Sequence, residues 1–183
     1  MRTFAEDPPV EERLGDALRE VDATLATAES CTGGLVGSLL TDVPGSSDYF
    51  DRSFVTYSYE AKMEHVGVAR EVLDDHGAVS EPVARRMARG VRDVAGTQWG
   101  VATTGIAGPT GGTEEKPVGT VFVGVAHAGE WGGGDTWADV ERYEFDGSRI
   151  EIKEQIARRA LADLLDAVKR APPRSADADE SVS

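Results

Sequence analysis

Serine, cysteine and threonine stand side by side in Thr27-Ala28-Glu29-Ser30-Cys31-Thr32-Gly33-Gly34, and no other stretch of the chain is as chemically suggestive. An apolar run over 23–28 leads into these residues and a helix-like run over 35–40 follows, so the order reads strand, tight turn, helix. That order puts small hydroxyl and thiol side chains at the carboxyl end of a strand, where open α/β sheets keep their ligand crevice. Unpaired N–H groups and the helix dipole there also favour an anion or a developing oxyanion. A serine hydroxyl is a poor nucleophile until a base takes its proton. Glu29 is adjacent, but alternation along a strand points it away from Ser30. Cys31 competes for the role, because a thiolate is favoured at a helix N-terminus. The plainer alternative is that Ser30, Cys31 and Thr32 only cap a helix.

A base is available in Phe54-Val55-Thr56-Tyr57-Ser58-Tyr59-Glu60-Ala61-Lys62. Tyr57 ends a strand and Lys62 enters the next helix, so both can project into the crevice of Ser30. Partial desolvation would lower the proton affinity of Lys62 and make it a base; otherwise it is an ordinary solvated lysine. The stretch 103–120 holds a long glycine-rich loop between two buried strands, and loops of this length are functional or disordered. Thr104, Gly105, Gly108, Gly111 and Gly112 are its candidate ligand contacts, because glycine lets a backbone approach closely. The loop is neither a Walker loop nor the dinucleotide fingerprint, and a phosphate or small anion is the ligand it suits. Arg149 and Lys153 fall on the first turns of the last helix, where Arg149 is either a bidentate phosphate ligand or a surface residue. With Cys31, Thr32 and Gly33 of the turn, Arg149 and the five loop residues complete the candidate substrate-binding set. His65, His76 and His127 make no metal pattern, so neither metal nor cofactor is expected.

The elements that must position these groups follow from periodicity. Helices are predicted over 10–21, 35–41, 60–66, 70–76, 81–95 and 150–168, with Ser80 capping the fifth and Pro82 in its first turn. Strands are predicted over 23–28, 53–57, 99–104, 118–126 and 136–145, the fourth fully buried and the last alternating, with a hairpin-like connection over 129–134. Trp99, Trp131 and Trp137 read as packing residues. Strands alternating with helices predict a three-layer α/β/α fold whose sheet is mostly parallel, and mixed because of the hairpin.

The 183 residues suit one domain over 1–171, followed by an acidic, Ser- and Ala-rich tail over 172–183 that cannot bury enough apolar surface to order. Lys and Arg number 19 against 33 Asp and Glu, a net charge of −14, and the only lysines are Lys62, Lys116, Lys153 and Lys169. An acidic, lysine-poor surface suits a protein kept soluble in high salt, where its charges are screened. It lacks the basic stripe that nucleic-acid binding requires. No run is long and apolar enough for a membrane span, and the first residues lack the apolar core of a signal peptide, so a cytoplasmic location is expected. The single cysteine excludes an internal disulfide.

Taken together, TAESCTGG (27–34), VPGSSDYF (43–50), FVTYSYEAK (54–62), GAVSEPVA (77–84) and TTGIAGPTGGTEEKPVGTV (103–121) resemble the carboxy-terminal domain of the CinA family, the nicotinamide-nucleotide amidases. The resemblance runs from about residue 14 to 168. It implies deamidation of nicotinamide mononucleotide to nicotinic acid mononucleotide and ammonia, a salvage step for pyridine nucleotides. It also implies a serine nucleophile at Ser30 and the family's lysine and tyrosine at Lys62 and Tyr57. Tyr59 departs from an asparagine expected in relatives. Larger members carry an amino-terminal domain that this sequence lacks, so activity belonging to that domain is expected to be absent. Relatives of this size often associate, and a dimer is favoured. A reading from another class stands beside the enzyme: a nucleotide-binding regulatory or protein-interaction module without hydrolytic activity, which would have no need of a base beside Ser30.

Overall fold

The computed structural model describes residues 3–129 and 135–171. In chain order the elements are α1 (Val10–Glu20), β1 (Leu25–Glu29), α2 (Leu35–Thr41), β2 (Phe50–Val55), α3 (Tyr59–Val66), α4 (Arg70–His76), α5 (Glu81–Ala95), β3 (Trp99–Gly105), β4 (Thr120–His127), β5 (Trp137–Glu144) and α6 (Arg149–Arg170), with a single 3-10 turn at Ser46–Asp48. The strands form one sheet in the order β2-β1-β3-β4-β5. β1 lies parallel to both of its neighbours, while β4 and β5 each pair antiparallel. The sheet is therefore mixed around a parallel core, and helices cover both faces: α1, α2 and α6 on one, α3, α4 and α5 on the other.

β1 is buried at every position because it is central and covered on both faces. The chain crosses from β1 to β2 on one side and later returns to β3 on the other. The carboxyl end of β1 is thus the point where strand order reverses, and crevices open at such points. Ser30 is the first residue beyond that end.

Small residues set how closely the layers approach. Gly100 of β3 and Gly124 of β4 lie under α5; a Cβ there would fall 2.2 Å from the Ala88 carbonyl oxygen and 2.7 Å from that of Ala84. Gly90 of α5 faces the end of α3, where a Cβ would fall 1.8 Å from the Val66 carbonyl oxygen. The helix that carries Lys62 is held against α5 through this contact. On the opposite face a buried ion cluster joins α1 to α6: Arg158 reaches Glu11 at 2.8 Å and Glu154 at 3.0 Å.

Several boundaries differ from the periodicity. β2 starts at Phe50 rather than 53, because parallel pairing with Leu25 fixes its register. It ends at Val55, leaving Tyr57 outside the strand. Ser80 is not a side-chain cap: its hydroxyl donates to the Gly77 carbonyl, whereas side-chain caps occur at Ser58 and Ser148. Residues 118 and 119 precede β4, since Gly119 turns there with φ +97° to pair with Ile106 and Phe145. Trp99 and Trp137 do pack, edge to face. The 129–134 connection beyond Gly129, Trp131 within it, and the 172–183 tail lie outside the described residues. Among the described residues no helix is long and apolar enough to cross a membrane.

The Gly90 contact yields a prediction. Gly90→Ala forces α3 away from α5 and should lower the urea-unfolding free energy by about 1–3 kcal/mol, the usual cost of overpacking. An unchanged midpoint would mean that the α3–α5 contact does not fix the position of α3.

Candidate active site

The end of β1 is tied to both neighbouring strands. The Ser30 N–H donates to the Thr103 carbonyl at 2.9 Å, and the Thr56 N–H donates to the Glu29 carbonyl at 2.7 Å. Gly33 and Gly34 then take positive φ values of 63° and 95°, which turn the chain into α2. Ser30 keeps 9% of its surface exposed at the rim of this turn.

Glu29 holds the turn in shape. Its carboxylate is fully buried and accepts five hydrogen bonds: from the Thr32 hydroxyl (2.7 Å), the N–H groups of Gly34 (2.9 Å), Val36 (3.0 Å) and Gly37 (2.8 Å), and the Ser53 hydroxyl (3.0 Å). The first amides of α2, which the sequence offers to an incoming anion, are therefore taken by a carboxylate of the chain itself. Among the turn's remaining amides, that of Gly33 belongs to an exposed residue and meets no acceptor among the described residues.

Lys62 lies in the first turn of α3, whose start Ser58 caps by accepting from the Ala61 N–H at 3.1 Å. The side chain folds back over that turn and is completely buried. Its Nζ lies 3.1 Å from Ser30 Oγ, 2.7 Å from the Thr56 carbonyl oxygen and 3.3 Å from that of Tyr57. No carboxylate is paired with it among the described residues. Loss of hydration pushes its pKa down from 10.5 to about 8. In the neutral amine, two N–H bonds serve the two carbonyls and the lone pair is left for the Ser30 hydroxyl. Ser30 and Lys62, 32 residues apart, thus meet as a serine facing a desolvated amine.

The structure treats the other candidates unequally. Cys31 is buried, and burial pushes its thiol up to about 12, so it stays protonated beside Ser30 and does not compete as a thiolate. Thr32 is fully buried with its hydroxyl between Glu29 and the Thr103 hydroxyl at 2.8 Å, so its side chain braces the turn. Tyr57 contributes its carbonyl to Lys62, while its side chain points outward at 65% exposure. Thr104 is buried and donates to the Ala78 carbonyl at 2.7 Å, so its hydroxyl holds the 77–80 segment and not a ligand.

The glycines of the long loop answer to packing. A Cβ on Gly105 would come 2.6 Å from the Thr120 carbonyl oxygen, and one on Gly112 would come 2.7 Å from the Val118 nitrogen. Gly108 and Gly111 have positive φ values of 79° and 93°. The loop is anchored twice, by the Lys116 amine donating to the Val79 carbonyl at 2.7 Å and by the Arg149 guanidinium donating to the Gly108 carbonyl. Arg149 therefore joins the loop to the start of α6. A separate cavity of about 500 Å³ between β5 and α6 shares no residue with this site.

The role of Glu29 and the closeness of the Lys153 amine to Gly33 are what residue types alone do not reveal. A buried carboxylate five to eight residues before the free amides of a short helix is the signal that finds the first.

Comparison with known proteins finds relatives of this chain in sequence and in fold. A family profile described as "CinA C-terminal domain" matches residues 7–168. The chain is 48% identical over 162 residues to a "Nicotinamide-nucleotide amidohydrolase PncC" of Shigella flexneri, covering 88% of this chain and 94% of that protein. It is 51% identical over 162 residues to a "Putative competence-damage inducible protein" of Symbiobacterium thermophilum, covering 86% of this chain but only 38% of that longer protein. A crystal structure of the competence damage-inducible protein A of Klebsiella pneumoniae superposes with a TM-score of 0.82 at 31% identity, covering 89% of this chain and 97% of that one.

Replacing the carboxylate that shapes the turn should be costly. Glu29→Gln turns an amide NH₂ towards N–H donors that need an acceptor, and should lower unfolding stability in urea by about 2–4 kcal/mol. A loss below about 0.5 kcal/mol would remove Glu29 as the organiser of the turn.

Proposed function

The chain belongs to the CinA C-terminal domain family, and from that premise we propose that it is an amidase converting nicotinamide mononucleotide and water to nicotinic acid mononucleotide and ammonia. The name of the Shigella flexneri relative supports the substrate, and the contact of Ser30 with a desolvated Lys62 at 3.1 Å carries the reading. A module that only binds a nucleotide gains nothing from a buried lysine with a lowered pKa next to a serine.

In the proposed cycle, neutral Lys62 takes the Ser30 hydroxyl proton as Oγ bonds to the carboxamide carbon. The carbonyl electron pair moves onto oxygen, where the backbone N–H groups directly after Ser30 are the proposed donors to the oxyanion. Collapse breaks the C–N bond; the Lys62 ammonium passes its proton to the leaving nitrogen, which departs as ammonia. An ester on Ser30 remains. Water attacks it, giving a proton to Lys62, and the carboxylic acid product leaves as Ser30 recovers its hydrogen. Tyr57 acts through its carbonyl, which with that of Thr56 orients the amine. The glycine loop with Arg149 flanks the crevice on the side proposed for the substrate phosphate.

The acidic surface argues for assay in several molar KCl, on the proposal that this is a cytoplasmic protein of a high-salt cell. There, Ser30→Ala should reduce ammonia release from nicotinamide mononucleotide by on the order of 10³-fold or more. Undiminished release would exclude Ser30 as nucleophile, and nucleotide binding without release in the unaltered protein would favour the binding-module reading.

The pH dependence has a definite sign. Lys62 acts as a base only when neutral, so kcat/KM should fall about tenfold per unit below pH 8 and level off above it. Lys62→Arg keeps a permanent charge and should abolish this limb together with activity. A profile flat from pH 6 to 9 would contradict the assignment.

A further inference from the structure

We propose that Lys153 is the residue that makes this site select a phosphorylated substrate, its ammonium holding a phosphate monoester against the backbone of Gly33. The inference rests on the amidase reading and adds to it a determinant of substrate class.

Lys153 sits one turn into α6, and a Cβ built on Gly33 would lie 3.5 Å from its Nζ. Gly33 is exposed, carries no side chain and has φ +63°, so an open patch of backbone three residues from Ser30 faces a cation. The amine has neither a carboxylate nor a hydrogen-bond acceptor among the described residues. This is unusual in a chain of net charge −14, in which Arg13, Arg85, Arg92, Arg158 and Arg159 all engage a carboxylate. The lysines and arginines other than Lys153 that lack a partner among the described residues are exposed; Lys153 is half-buried.

The surrounding fold leaves the anion to these side chains. The N-terminal amides of α2 are occupied by Glu29, and the start of α6 is closed by the reciprocal Ser148–Glu151 capping box. Neither helix end offers its amides to a ligand. Arg149 and Lys153 are four residues apart and so share one side of α6. Arg149 reaches the glycine loop at Gly108 while Lys153 reaches the Ser30 turn at Gly33. Two cations bridging the two walls of one crevice match a phosphate of charge near −2 better than the single charge of a tetrahedral oxyanion.

The test compares ligands that differ only in the phosphate. Binding of nicotinic acid mononucleotide and of nicotinic acid riboside is measured by calorimetry for the unaltered protein, Lys153→Met and Lys153→Arg. Circular dichroism and the unfolding midpoint serve as the check on folding. Losing one charge-assisted contact should weaken mononucleotide binding by about 10- to 100-fold in Lys153→Met while leaving the riboside within about twofold. Lys153→Arg should recover most of the loss. Kinetics add a second readout: KM for nicotinamide mononucleotide should rise in Lys153→Met, with kcat much less changed. Equal losses for both ligands, no loss for either, or no preference of the unaltered protein for the phosphorylated ligand would overturn the inference. Because binding needs no turnover, an inactive protein that still shows the phosphate-dependent loss would refute the amidase reading and leave this one standing.

Discussion

A lysine amine taken wholly out of water, with no carboxylate beside it among the described residues, is the constraint around which the site is arranged. Burial of a charge costs several kcal/mol unless it is paired, and the usual relief is loss of the proton. Here the carbonyls of Thr56 and Tyr57 satisfy two N–H bonds but supply no full negative charge. They keep the amine hydrogen-bonded and easily deprotonated at once. Its remaining direction faces Ser30. The side chain cannot easily escape to solvent, because α3 is capped by Ser58 and pressed against α5 at the Gly90 contact.

Opposite charges at the end of β1 are kept apart by the pleat of the strand. Glu29 and Ser30 are consecutive, so their side chains leave the backbone in different directions. The carboxylate goes to the amides of α2 and to Ser53, while the hydroxyl goes to Lys62. Were the carboxylate to reach the amine, the ion pair would hold the proton on nitrogen and remove the base. The same separation explains why the α2 N-terminus is closed to ligands and why cations at the start of α6 stand out as the way to attract an anion.

Much of this was legible before any coordinates. An apolar run, two hydroxyls and a Gly-Gly pair specify a strand–turn–helix, and the scarcity of lysine draws attention to Lys62. The layered fold followed from alternating apolar strands and amphipathic helices. What remained hidden depends on partners distant in sequence. The partners of the Thr32 and Thr104 hydroxyls, Thr103 and Ala78, are not legible from local pattern. Cys31 looks reactive until its burial is known. The start of β2 is set by pairing with Leu25 and not by its own composition. Ser80 resembles a cap, yet the Gly77 carbonyl takes its hydroxyl. Alternation indicated correctly that Glu29 leaves Ser30, but not that five donors wait for it.

The claim on which the chemistry turns is that the amine beside Ser30 loses its proton near neutrality. With only four lysines in the chain, labelling their ε-carbons gives an NMR spectrum in which the Lys62 resonance is identified by its loss in Lys62→Met. Followed from pH 6 to 12 in the folded protein, that resonance should titrate with a midpoint of about 8. A midpoint at the ordinary lysine value of about 10.4 would mean that the amine is charged at working pH and that Ser30 has no base in Lys62.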